Sequence, residues 1–154
     1  MQRKIIKIIL VIVWMGVIFS FSNQEATGSD KLSHNFIVRI TKVVVGKKYN
    51  AKIEQKAMSY VTIVRKTAHA FIYFVLAVLS FSLFKEYFGI TSKTIIYTVF
   101  LCLCYSISDE FHQMFIAGRS GELRDVLIDC SSAILATFLC YKITAIRKSK
   151  KQLD

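Results

Sequence analysis

The sequence contains no proline, only 6 glycines, and 10 acidic residues against 21 lysines and arginines. Without proline, nothing in the chain removes a helix-interior amide donor or forces a ring clash. The scarcity of paired glycines removes the signal through which membrane helices often dimerise, so no oligomeric state follows. Neither an HExxH metal motif nor a GxSxG nucleophile elbow occurs, and no other known metal-ligand spacing is present. No cofactor and no metal is therefore expected. The four cysteines, Cys102, Cys104, Cys130 and Cys140, all fall inside apolar runs. They lack metal-ligand spacing, Cys102 and Cys104 point to different helix faces, and the set reads as small packing residues. There is no internal repeat and no low-complexity segment.

What is present is apolar surface. Of 154 residues, 54% are hydrophobic, and the mean hydropathy is +0.46. A soluble fold this small has too little interior to hide that much. The formal net charge of +11 suits a nucleic acid in principle. The basic residues, however, flank apolar runs instead of gathering in one patch. Membrane orientation and anionic headgroups explain them better, so membrane lipids are the expected partners and nucleic acid is not.

Four apolar runs have span character, at about residues 5–21, 67–84, 94–108 and 126–142. Arg3, Lys4 and Lys7 head the first, as they would a signal peptide. Its apolar body is long for one, and no small-x-small site follows directly; Ala26-Thr27-Gly28 is a weak candidate. The reading is an uncleaved first span. Residues 30–64 are amphipathic. Phe36, Ile37, Ile40, Val43 and Val44 share a helix face, with Asp30 or Ser33 to cap it. A break follows from Gly46 to Asn50. A second stretch then uses Ile53, Ala57, Tyr60, Val61 and Val64. Such helices lie in the interfacial plane or cap a bundle.

The expected fold is all-α: one domain over 1–154, a four-helix transmembrane bundle with an amphipathic helical extracytoplasmic loop. The basic head, the tail of Lys142, Arg147, Lys148, Lys150 and Lys151, and the loop residues Lys85 and Lys93 place both termini on the cytoplasmic side of the membrane. The lysines of the long first loop count against this arrangement.

With that topology, three polar clusters meet at the outer face: Ser22-Asn23-Gln24; Arg65, Lys66 and His69 with Tyr73; and Asp109 to Asp129. Arg65, His69 and Tyr73 stand four apart and form one helix stripe. Asp109 and Gln113 repeat the spacing beside His112, as do Asp125 and Asp129. Asp129 falls about one turn inside the fourth span and is expected to face the bundle interior. Gly118-Arg119-Ser120-Gly121 reads as a turn.

These pieces, in this order around four spans, resemble the VanZ-like membrane protein family. They are Ser22-x-Gln24, Arg65-Lys66-x-x-His69-x-x-x-Tyr73, and Asp109-Glu110-x-x-Gln113-x-Phe115-x-x-Gly118-Arg119, followed by Asp125 and Asp129. Asp129 stands where many members have asparagine, and Ala117 where many have proline. The resemblance implies a multi-pass protein of the bacterial plasma membrane with a cell-envelope role, associated in the founding member with low-level resistance to teicoplanin.

Three roles fit the clusters. In the first, Gln24, Arg65, Lys66, His69, Tyr73, Asp109, Glu110, Gln113, Arg119, Asp125 and Asp129 bind an anionic lipid, a lipid-linked cell-wall intermediate or a lipoglycopeptide. Arginines suit phosphate and carboxylate bidentately, and the acids orient them. In the second, an intramembrane hydrolase or transferase uses His69, Asp109 or Glu110 as acid and base, with an arginine stabilising developing charge. A metal-dependent version would draw on His112, Asp109, Asp125 or Asp129. In the third, pairs such as Arg65–Asp109 and Arg119–Asp125 simply close the bundle.

Overall fold

The structure, a computed structural model, describes residues 2–23, 26–46 and 50–151. Among them there are six helices and no strand. They are α1 (Gln2–Ser22), α2 (Ala26–Val45), α3 (Ala51–Met58), α4 (Val61–Phe88), α5 (Ser92–Gln113) and α6 (Leu123–Lys151). Four of them, α1, α4, α5 and α6, are long and apolar enough to cross a membrane. The chain is an all-α, multi-pass membrane protein.

These helices run past the apolar stretches because backbone hydrogen bonding continues wherever neighbouring helices support it. Arg65, Lys66 and His69 thus lie one to two turns inside α4, whose first residue is Val61. Asp109, Glu110 and Gln113 form the last turns of α5 and not a loop. Two sequence expectations change accordingly. Asp30 and Ser33 lie inside α2, which begins at Ala26, and not at its start. The second amphipathic stretch is not one helix: α3 ends at Met58, Tyr60 sits in the break, and Val61 and Val64 belong to α4. Asn50 marks the start of α3, its Oδ1 accepting the Ile53 amide at 3.0 Å.

The bundle is built around α4, which contacts α1, α2, α5 and α6. α6 packs against α4 and α5, whereas α1 leans mainly on α4 and touches α5 more lightly. The helix seams are small and polar. On α5 the buried stripe is Thr94, Thr98, Cys102, Ser106, Asp109, Glu110 and Gln113, spaced three and four apart. Its large apolar residues, such as Ile96, Phe100, Ile107 and Phe111, point outward. α6 repeats the arrangement, burying Asp129, Ala133, Ala136 and Thr137 while exposing Ile134, Leu135 and Phe138.

This inverts a soluble fold. Lipid tails solvate large apolar groups as well as a protein interior does, so burying them between helices gains little. Small side chains let helix backbones approach, and polar ones find partners across the seam. Trp14 Nε1 donates to Ile72 O (2.9 Å), Tyr105 Oη to Met15 O (2.6 Å) and Ser132 Oγ to Ala70 O (2.6 Å). Each bond ties two spans through a backbone carbonyl.

α2 lies beside the first half of α4 and buries Ile37 there, but Val43 and Val44 stay 80% and 76% exposed. Its apolar face is only partly used within the chain.

Candidate functional site

The ends of α1 and α5 and the beginnings of α4 and α6 meet at one end of the bundle, called here the site end. Two glycines shape the link from α5 to α6. Gly118 has φ +76°, in the left-handed region where a side chain is strained. Gly121 lies against the end of α5, where a Cβ would stand 2.8 Å from Glu110 O and 2.8 Å from Met114 Cγ. Only hydrogen fits, so the start of α6 is held against the end of α5.

That approach lets the acids of α5 act on α6. Glu110, 6% exposed, accepts the Glu122 backbone amide on Oε2 at 2.9 Å. The acceptor satisfies an amide at the start of α6, where a negative charge also complements the helix dipole. Gln113 Nε2 donates to Asp109 Oδ2 (3.2 Å) and to Glu110 Oε1 (3.3 Å). Gln113 Oε1 accepts from Arg119 Nη1 at 3.1 Å. The amide therefore has one orientation, with its NH2 toward the two acids and its oxygen toward the guanidinium.

Lys66 reaches across from α4, its Nζ 2.6 Å from Asp125 Oδ1 and 3.3 Å from Glu122 Oε2. Deeper in the bundle, Asp129 is 1% exposed and accepts from Ser106 Oγ on Oδ2 at 3.2 Å. Its Oδ1 has no hydrogen-bond partner, nor do the buried His69 Nδ1 and the Tyr73 hydroxyl. The Tyr73 hydroxyl sits beside Ser106 without hydrogen-bond geometry, in the field of Asp109 and Asp129.

Above this layer opens a cleft of about 70 Å³, lined by Arg65, His69, Gln113, Arg119, Glu122 and Asp125, with Gly118 and Ser120 at its rim. His69 lies within electrostatic reach of Asp109, Asp125, Arg65 and Arg119. Two guanidinium groups facing one small polar cleft can engage a phosphate or carboxylate, each through paired N–H donors.

Seven of the sequence candidates gather in or directly beneath the cleft: Arg65, His69, Gln113, Arg119, Asp125, Asp109 and Glu110. Tyr73 and Asp129 lie one layer below. Lys66 is tied to Asp125 and Glu122, and Gln24 lies outside the described residues. Asp125 pairs with Lys66, and Arg119 donates to Gln113. Glu110 does not line the cleft, since both its oxygens are taken. His112 faces α1 instead, with Nε2 3.3 Å from Asn23 Oδ1 and its ring 4.7 Å from that of Phe19. Among the described residues, no three His, Cys, Asp or Glu side chains gather in a way that would hold a metal ion.

Sequence reasoning missed Ser106 and the roles of Glu122 and Asn23. Ser106 was within reach: it stands three residues before Asp109 and seven before Gln113, on the same helix stripe. The bond from the Glu122 amide to Glu110 carried no such signal, because a backbone group makes it.

Residues 7–146 match the family model described as VanZ/LLP1. No curated protein and no solved structure matches the chain.

Proposed function

Because the chain belongs to the VanZ/LLP1 family, we propose that it acts at the bacterial cell envelope, lowering susceptibility to lipoglycopeptides of the teicoplanin type by binding an anionic lipid or lipid-linked cell-wall component. Both termini lie in the cytoplasm in this reading, and the site end faces outward. The observation that carries it is the cleft in which Arg65 and Arg119 converge beside His69. Beneath and beside it, Asp109, Glu110 and Asp125 bond Gln113, the Glu122 amide and Lys66. Arg65 and Arg119 both line the cleft where an anion would arrive.

The test is lipoglycopeptide susceptibility in a bacterium carrying the chain. Arg65→Ala and Arg119→Ala are expected to abolish the protective effect at unchanged membrane abundance. Unchanged protection in both would sink the reading. Loss of abundance in both would make the cluster a structural clasp.

A second reading, a hydrolase or transferase acting on a lipid headgroup, is favoured by one observation. His69 lines the cleft and its buried Nδ1 has no partner, so the imidazole is available for proton transfer. Turnover of a lipid phosphoester by the purified protein, lost in His69→Gln, would establish it; no turnover at any pH would remove it.

A further inference from the structure

A second cavity lies on the other side of α5, along its seam with α1. It measures about 280 Å³, and its wall includes Phe19, Tyr105, Phe111, Phe115, His112 and Asp109. Below it a third cavity of about 380 Å³ is lined almost wholly by apolar groups, among them Met15, Phe84, Phe100 and Cys104. Tyr105 and Ser108 line both, so the two adjoin along one seam.

The seam is open for a structural reason. α1 leans on α4, and two hydrogen bonds tie its side to α5: Tyr105 Oη to Met15 O, and His112 with Asn23. The tethering residues on α5 stand seven apart, so about 10 Å of helix separates them. The upper cavity opens between these tethers.

Its chemistry differs from that of the arginine cleft. Neither seam cavity is lined by any lysine or arginine. The upper one joins four aromatic rings and an imidazole to Asp109, a residue only 4% exposed. Ring faces and a carboxylate both attract an ammonium group and repel a phosphate-only headgroup. The slot below has the character of an acyl-chain groove and stays within the span.

We propose that the α1–α5 seam holds a membrane lipid whose headgroup ends in an amine, its ammonium beside Asp109 among the rings of Phe19, Tyr105 and Phe111, and an acyl chain in the slot past Cys104. The site is separate from the arginine cleft. Asp109 links the two through Gln113, which donates to Asp109 and accepts from Arg119.

The test uses the full-length chain in detergent micelles, with bound lipid read by native mass spectrometry. The probes are phosphatidylethanolamine and phosphatidylglycerol of identical chains. The amine lipid is expected to bind about tenfold more tightly, equivalent to about 1.4 kcal/mol. Asp109→Asn, which keeps an acceptor for Gln113, is expected to reduce the preference to about twofold or less. Phe111→Ala, at an outward-facing position, reduces it by about threefold and serves if Asp109→Asn does not fold. Cys104→Phe fills the slot and weakens both lipids, whereas Ile134→Phe on the lipid-facing side of α6 leaves binding unchanged. Equal binding of the two lipids by the parent chain overturns the proposal, as does a preference that survives both Asp109→Asn and Phe111→Ala. Glycerophosphoethanolamine, which has no chain, competing as well as the intact lipid also overturns it.

Discussion

The two ends of the bundle handle charge in opposite ways. At the end opposite the site, Lys7 bonds Ser82 O and Glu86 near the surface. Lys4 Nζ lies 4.3 Å from the centroid of the Tyr87 ring, and Lys142 Nζ 5.3 Å from that of Phe138. Phe84, Phe88 and Tyr97 stack around this end, with Phe88 and Tyr97 centroids 5.1 Å apart. Long basic side chains here hold their ammonium groups over aromatic rings, whose faces attract the charge. At the site end the acids turn inward: Asp109, Glu110 and Asp129 are all buried. Asp and Glu have stems too short to reach water from there, so partners must come from the protein. Charge at one end anchors the spans, and charge at the other builds a framework.

The sharpest way to break that contrast is to ask which end faces out. Ser120→Cys on the exposed turn is expected to react with a membrane-impermeant maleimide in intact cells, while Lys148→Cys reacts only after lysis. The reverse pattern would place the arginine cleft in the cytoplasm and end the cell-surface reading. Next in size is Gly121→Val. Its new side chain meets Glu110 O and Met114, so α6 must move off α5. A stability loss of roughly 3 kcal/mol in detergent unfolding is expected.

Glu110→Ala should cost about 2 kcal/mol, because the Glu122 amide and Gln113 lose a buried acceptor. Glu110→Gln, which keeps an acceptor oxygen, should recover much of it. An equal loss in both variants would show that the charge, not the hydrogen bond, matters. Lys66→Ala removes a half-buried pair with Asp125 and is expected to cost about 0.5–1 kcal/mol. Smallest of all is Lys7→Ala at the opposite end, where the unfolding temperature should stay within error. If Lys7→Ala destabilised the bundle as much as Lys66→Ala, the two ends would not differ as described.

Much of the fold was legible in the linear chain. The four apolar runs announced four spans, and the absence of proline left each free to continue as one helix. Helix ends were less legible. α4 starts at Val61 and α5 continues to Gln113, because packing on neighbours extends a helix through polar residues that hydropathy alone assigns to loops. The site was legible as a set of residue types at helical spacing. Its partners were not: no spacing signalled that Lys66 would pair with Asp125, or that Gln113 would join Arg119 to Asp109.

By itself the sequence determined that this chain lives in a membrane, with basic flanks at one end and an acid-rich turn at the other. Hydropathy and charge act residue by residue, and no partner is needed to read them. Tertiary structure decided which face of α5 is the inner one, which acids support backbone and which cations meet the cleft. It also left the seam between α1 and α5 open. Those outcomes depend on how closely two backbones approach, as at Gly121 against Glu110, and a helix carries no record of its neighbours' distance in its own sequence.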